Sequence, residues 1–387
     1  MIARRRLGAV LGLNQLLTWG MSFYLPAILA TPAAADLGTE PVAVVAAFSW
    51  SLLVSGACAP RVGRWIDRHG GRGALLASIV IIAAGQAILA AAPSLPVWYA
   101  GWTVIGLGMS MGLYDAAFAT VGGLLQREAG PTITGITLIA GFASTVFWTL
   151  GAALIGPLGW RGLMLAYAAL MLCTNLPMVW MLVPPASARP RAAATVTATG
   201  AARAGRGQAI CLAGFFALRW LITSAIAVHI LHLMHGIGLS LAQAVLVGSL
   251  IGPGQVIGRI MEWTIGRRVS LLSRARLGAL LFPLGTLVLL AGGPVAAAGF
   301  ALLYGMSNGI LTINRGTLPL ALFGPAGYAT MLGWFAVPVQ VAQALAPTLA
   351  APLVTALPAL HVLLLAGGMA LLAVILLLPL RLPAAEA

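Results

Sequence analysis

The sequence predicts an all-α membrane protein: twelve transmembrane helices in two pseudo-symmetric six-helix bundles. Three observations lead there. Of 387 residues, 61% are hydrophobic and only 7% are charged, whereas a soluble domain carries about 25% charged residues. Apolar runs of the length a bilayer requires, about 20 residues each, recur twelve times along the chain. Short motifs of the first half also return in the second half, in the same order and at a nearly constant offset.

The first six spans fall at about 7–30, 42–60, 73–92, 96–121, 133–156 and 162–184, and the second six at about 209–233, 240–261, 275–292, 295–318, 328–350 and 357–380; these bounds follow the apolar windows. Arg4, Arg5 and Arg6 precede the first span, and Ala33-Ala34-Ala35 has the small residues of a signal-peptidase site. The apolar stretch is too long for a signal core, however, and Asn14 and Gln15 interrupt it, so a retained helix is expected. Residues 185–208 break the pattern with Pro185, Pro190 and four arginines, and read as a linker. The expected organisation is an N-terminal bundle over 1–184, a cytoplasmic linker over 185–208 and a C-terminal bundle over 209–387.

Charge gives the orientation. The net charge is +14, and all 21 basic residues are arginine. With both termini cytoplasmic, eighteen of them fall on the inner side, Arg161 alone falls outside, and Arg219 and Arg315 lie within spans. This is the positive-inside bias, and it predicts a multi-pass protein of a bacterial inner membrane. The arginines sit in short clusters between apolar runs, so the basic balance reflects topology, and no nucleic-acid partner is expected. Cys58, Cys173 and Cys211 show no paired spacing; neither a disulfide framework nor a metal site is expected.

The repeat is carried by three matches. Gly63-Arg64-Trp65-Ile66-Asp67 ends the second span and Gly258-Arg259-Ile260-Met261-Glu262 the eighth. Gly108-Met109-Ser110-Met111-Gly112 in span four returns as Gly305-Met306-Ser307-Asn308-Gly309 in span ten. Gly130-Pro131 returns as Gly324-Pro325. Two parallel six-helix repeats are a recurrent membrane architecture.

On these residues the chain resembles the major facilitator superfamily. Gly63-Arg64-Trp65-Ile66-Asp67-Arg68-His69-Gly70-Gly71-Arg72 is similar to that family's signature between spans two and three: Gly, three residues, Asp-Arg, one residue, Gly, then a basic residue. The second copy keeps Gly258, Arg259 and Glu262 and loses the rest. Gly159-Trp160-Arg161 resembles a frequent family turn between spans five and six. The family's fourth-span arginine is missing. The stretches 113–118 and 316–324 resemble arsenite-efflux or monocarboxylate members. The resemblance implies that Asp67 braces the N-terminus of span eleven, near Gly327-Tyr328, and holds the cytoplasmic side shut. Gly63, Arg68, Gly70, Arg72 and Glu262 would belong to that gating motif, with glycines 63 and 70 serving a tight turn and Arg127 offering a second partner. It also implies that spans one, four, seven and ten line a central cavity.

An ionisable side chain at membrane depth costs about 2.5–3.5 kcal/mol on insertion scales, so such residues are functional candidates. Asp115 in span four, Arg219 in span seven and Arg315 in span ten qualify. Asp115 is a candidate proton carrier or partner of Arg315, and Arg219 is a candidate for binding a carboxylate or oxyanion. Asn14, Gln15, Thr18 and Tyr24 in span one, and Gln340 and Gln343 in span eleven, are candidates either for substrate contact or for bonds between helices. His229, His232 and His235 share an arc of span seven, without the acid or thiol partner a metal site would use.

The Gly-x-Ser-x-Gly spacing at 108–112 matches a hydrolase nucleophile elbow, but that motif needs a strand-turn-helix setting. No enzymatic activity, catalytic residue or cofactor is expected. A phosphate-binding Gly-x4-Gly-Lys loop cannot exist without lysine. The expected function is secondary active transport by alternating access of a small solute, a small anion, coupled to protons. A single twelve-helix chain would suffice as a monomer. Efflux of arsenite or drugs is the alternative within transporters. A passive channel and a non-transporting membrane receptor are the alternatives outside them.

Overall fold

A computed structural model describes residues 2–185, 205–264 and 266–382. Most of the expected linker, 186–204, lies outside the described residues, as does the side chain of Arg127. Among the described residues every regular element is helical. Among the described residues nine helical runs are apolar and long enough to cross a membrane. Two of these, Gly130–Leu182 and Leu271–Phe323, are 53 residues long and hold two crossings each. The first crossing is split between shorter helices. The fold is that of twelve transmembrane helices.

Span one is broken where a single helix over 7–30 was expected. It runs as Ile2–Gly20, turns through 21–25, and resumes as Pro26–Asp36. Pro26 has no N–H to donate and its ring crowds the preceding turn, so the chain closes tighter bonds, Leu25 N to Ser22 O at 3.3 Å among them. Asp36 therefore ends a helix rather than lying in a loop. Span two is longer than expected, Pro41–His69 against 42–60. The signature from Gly63 to His69 is thus helical, and the turn comes only at Gly70, whose φ of +82° suits glycine alone. Charged residues end a hydropathy window but do not end a helix; only the glycine does.

Span three is Gly71–Ala91, and span four divides into Leu95–Gly112 and Tyr114–Leu125 around an extended Leu113. Span five is Gly130–Ala140 and the part of Ala143–Leu170 before Gly159, where φ of +65° breaks the helix; span six is the remainder of that helix, a π turn at Met171–Asn175 and Leu176–Leu182. Span seven is Arg206–Gly236. Span eight is Leu241–Ser249 and Ile251–Thr264, with the break where Pro253 leaves the Ser249 carbonyl without its helical donor. Leu271–Gly292, Ala297–Phe323, Tyr328–Ala356 and Ala359–Leu376 complete the set.

By contacts the chain forms two units. One comprises Met1–Gly200 with Gly324–Gln340, the other Ala201–Phe323 with Val341–Ala387. The first turns of span eleven therefore belong with the N-terminal helices. Inside each unit the same packing recurs: span four lies against spans two and three, and span ten against spans eight and nine.

Small residues make these contacts close. A Cβ on Gly254 or Gly258 would meet the Leu302 or Met306 carbonyl at 2.6 and 2.4 Å, and one on Gly305 or Gly309 would meet the Ile251 or Gln255 carbonyl at 2.3 and 2.2 Å. Spans eight and ten thus touch backbone to backbone along two interlocked Gly-x3-Gly stripes. In span ten the recurring Gly-x-Ser-x-Gly segment is a packing device. Below it, Phe282, Phe300, Tyr304, Ile226 and Leu233 form the apolar heart of the second unit.

Candidate functional site

The Gly63–Arg72 signature places its acid on a helix end. Span eleven begins at Tyr328, and the first N–H groups of a helix have no intrahelical partner. The Ala329 N–H donates to Asp67 Oδ1 at 3.2 Å; the Thr330 N–H and hydroxyl donate to Oδ2 at 2.8 and 2.6 Å. One carboxylate thus satisfies two orphan donors at the positive end of a helix. Gly63 permits the approach. It is not a turn residue as expected: it lies within span two, and a Cβ there would sit 2.3 Å from the Ala329 carbonyl oxygen. Farther along the same seam a Cβ on Gly333 would meet the Ala59 carbonyl at 2.4 Å, and Gln340 Nε2 donates to Ser55 Oγ at 3.3 Å.

The basic residues of the signature do separate things. Arg68 is exposed. Arg72 donates through Nη2 to the Trp180 carbonyl, closing the last turn of span six. In the second unit Arg276 does the same for span twelve, donating to the Leu377 carbonyl at 3.0 Å and the Leu378 carbonyl at 3.3 Å. Glu262, the repeat's acid, is buried and takes a 2.6 Å ion pair from Arg274. The two repeat acids therefore have different partners: a helix end for Asp67, an arginine for Glu262.

The polar side chains of span one converge on one another. Asn14 Nδ2 donates to Asn175 Oδ1 at 3.0 Å, and Asn175 Nδ2 to Thr18 Oγ1 at 3.2 Å. Gln15 Nε2 donates to Asn14 Oδ1 at 3.0 Å and to the Gly112 carbonyl at 2.6 Å, and Gln15 Oε1 accepts from Trp19 Nε1 at 3.2 Å. Asn14, Gln15, Thr18 and Asn175 are all essentially fully buried. The Gly112 carbonyl is one that the break in span four leaves without a helical donor, so Gln15 mends that break. Asn175, on the π turn of span six, was not singled out from sequence; a lone asparagine in an apolar run gives no periodic signal. Tyr24 packs edge-on against Trp148 at 5.6 Å.

The same break places Asp115 in the first turn of Tyr114–Leu125, where a helix favours negative charge. Its carboxyl is half-buried. Trp19, Tyr114 and Phe118 form a row, with ring centroids 4.9 and 5.1 Å apart in successive pairs.

Arg219 is 1% exposed. Its Nη2 donates to Ser307 Oγ at 3.0 Å and to Asn308 Oδ1 at 3.4 Å, while Nε and Nη1 meet no acceptor. Among the described residues no carboxylate pairs with it. The guanidinium carbon lies 5.5 Å from the Phe282 ring. The neighbours are fixed in turn. Ser307 Oγ donates to the Gly278 carbonyl at 2.7 Å, Thr223 Oγ1 to Asn308 Oδ1 at 3.0 Å, and Tyr304 Oη to the Thr223 carbonyl at 3.1 Å. Thr223, Tyr304 and Asn308 were not site candidates in the sequence because only folding brings spans seven and ten together at these positions. Arg315 is buried with its guanidinium 5.1 Å from the Trp220 ring.

The Gln343 backbone, His229 and His235 have structural partners. The Gln343 carbonyl, deprived of its helical donor by Pro347, accepts from Ser224 Oγ at 2.9 Å. His229 Nε2 lies 3.1 Å from the Pro347 carbonyl and His235 Nδ1 3.0 Å from that of Leu239.

A family model described as Major Facilitator Superfamily matches residues 11–347. Solved structures share the fold. The human organic anion transporter MFSD10 (TETRAN) is 18% identical, with a TM-score of 0.76, covering 97% of this chain and 99% of its own. The proton:xylose symporter XylE is 13% identical with a TM-score of 0.67, covering 97% and 93%. The E. coli fucose:proton symporter FucP is 15% identical with a TM-score of 0.71, covering 96% and 97%.

Proposed function

Because the chain belongs to the major facilitator superfamily, whose members are membrane transporters, we propose that it is a secondary active transporter carrying a small anion by alternating access, coupled to protons. The observation that carries the anion reading is Arg219. A buried guanidinium ordinarily has an anionic partner, because desolvating an unpaired charge is costly. This one has two neutral oxygens on one nitrogen and nothing on the other two. The structural neighbours do not decide the cargo, since by their names the fold serves an organic anion, xylose and fucose alike. The anion reading rests instead on the side chains of this chain.

Asp115 is our proton carrier. It is the ionisable acid at mid-depth of span four and sits where the helix is interrupted, the kind of place in which transporters bind coupling ions. Asp67, with Gly63, Arg68, Gly70 and Arg72, is the cytoplasmic latch, made when Asp67 holds the start of span eleven and broken when the transporter opens inward. Glu262 is its counterpart in the second repeat, held by Arg274. The setting is a bacterial inner membrane, with both termini inside and the chain working as a monomer.

Uptake into proteoliposomes tests the reading, with and without an imposed pH gradient, across small carboxylates, oxyanions, arsenite and neutral sugars. Gradient-driven accumulation of an anion, lost in Asp115→Asn and in Arg219→Gln, is the expected result. Gradient-independent equilibration would refute proton coupling. An Arg219→Gln variant that transports at the parental rate would refute the anion assignment and favour neutral arsenite.

A further inference from the structure

We propose that Asn308 sets ligand selectivity by acting as a neutral placeholder on Arg219: its amide oxygen occupies the position that one oxygen of a monoanion takes when the ligand binds. The inference rests on the anion reading above and adds the residue that regulates access to the cation.

Arginine has five N–H donors and no acceptor, so any group facing it must turn an oxygen inward. Asn308 does so; its Oδ1 accepts from both Arg219 Nη2 and Thr223 Oγ1. The bond to Arg219 is 3.4 Å long, whereas charge-assisted bonds to carboxylates run about 2.7–2.9 Å. The second oxygen on Nη2, Ser307 Oγ, already spends its proton on the Gly278 carbonyl and so serves purely as an acceptor. Asn308 differs from it in being only half-buried and in lying at the end of a side chain that can turn away. The bond it would give up is the longer of the two.

An anion arriving at Arg219 replaces a long bond to a neutral amide with a short one to a full charge, and finds Nε and Nη1 without acceptors. The released Asn308 keeps its bond from Thr223 Oγ1. Only one charge is favoured. The walls are the Phe282 ring and Tyr304, whose centroids lie 5.4 Å apart, and a second negative charge there would be buried without a partner.

Two substitutions at this position separate the placeholder from a plain packing or binding role, because they move the response in opposite directions. Asn308→Asp supplies a permanent internal carboxylate of nearly the same shape. It is expected to raise the melting temperature of the purified full chain and to abolish the further stabilisation given by added anion. Asn308→Ala removes the competing oxygen and is expected to lower the half-effective anion concentration by at least about threefold, the scale of one modest hydrogen bond. The probes are sodium lactate and sodium benzoate, compared with sodium sulfate at matched ionic strength.

The parent protein should respond to one or both monoanions and not to sulfate. An Asn308→Asp protein that responds like the parent overturns the proposal. So does an Asn308→Ala protein that loses the response, which would make Asn308 a direct ligand. A parent indifferent to every anion overturns the anion reading itself, and this inference with it. The first two failures appear only in variants and leave that reading intact. Should Asn308→Asp not fold, the direction of the Asn308→Ala shift decides alone.

Discussion

At the residue scale, the clearest claims concern side chains that satisfy backbone groups. Asp67 holds two N–H groups and a hydroxyl of one helix start. Asp67→Ala is expected to cost about 1–2 kcal/mol, the range for losing a strong helix cap, and Asp67→Asn less, because an amide oxygen still accepts; thermal unfolding in detergent would measure both. Gln15→Leu should cost about 1–3 kcal/mol, since it leaves the Gly112 carbonyl buried and unpaired. If Gln15 were instead a ligand to substrate, the same change would alter uptake without altering the melting temperature. Sequence singled out Asp115 and Arg219 because charge is rare in the apolar spans, and Asp67 through its resemblance to a family signature. It could not separate Asn14, Gln15 and Thr18 as bonding partners from the same residues as ligands. That distinction depends on Asn175, more than 150 positions away, and on a π turn that leaves no periodic trace.

At the scale of elements, the glycine stripes determine which helices touch. A side chain at Gly258 or Gly305 must displace backbone rather than a flexible neighbour. Gly305→Val is expected to destabilise by about 1–3 kcal/mol or more, as overpacked sites do, while Gly299→Val, where the nearest atom stands 3.6 Å away, should be nearly silent. Parallel melting curves of the two variants would show the contrast. Arg72→Ala and Arg276→Ala should each cost about 0.5–1.5 kcal/mol, through the loss of bonds to helix-end carbonyls. The number of spans was legible because apolar length is dictated by the bilayer. The breaks at 21–25 and at Leu113, and the extension of span two to His69, were not. Hydropathy records where a helix meets lipid, whereas helices end where glycine, proline or an unmatched carbonyl makes them end.

At the scale of the whole molecule, the two units repeat their packing and differ in how they treat buried polar atoms. In the first, the span-one network is closed on itself, and among the buried side-chain atoms of the described residues only Arg72 Nε, Gln86 Oε1 and Trp102 Nε1 lack a partner. In the second, Arg219 and Arg259 each keep Nε and Nη1 without acceptors, and Asn314, fully buried, has no bond at either Nδ2 or Oδ1. Each such atom costs stability, so the second unit is expected to gain more from bound ligand than the first. Hydrogen exchange with and without a stabilising anion would locate the added protection in spans seven, nine and ten rather than in span one.

That contrast bears on ancestry. The interlocked glycines and recurring motifs are what duplication of a six-helix gene leaves behind, yet the mid-depth charges were not copied. Asp115 stands alone in the first half, Arg219 and Arg315 in the second. With the offset of 197 that relates the Gly-x-Ser-x-Gly segments, Asp115 corresponds to Thr312, Arg219 to Ser22 and Arg315 to Phe118. A molecule assembled from two copies of either present-day half would hold only acids or only arginines at that depth. The two halves thus carry opposite charges at their mid-depth positions.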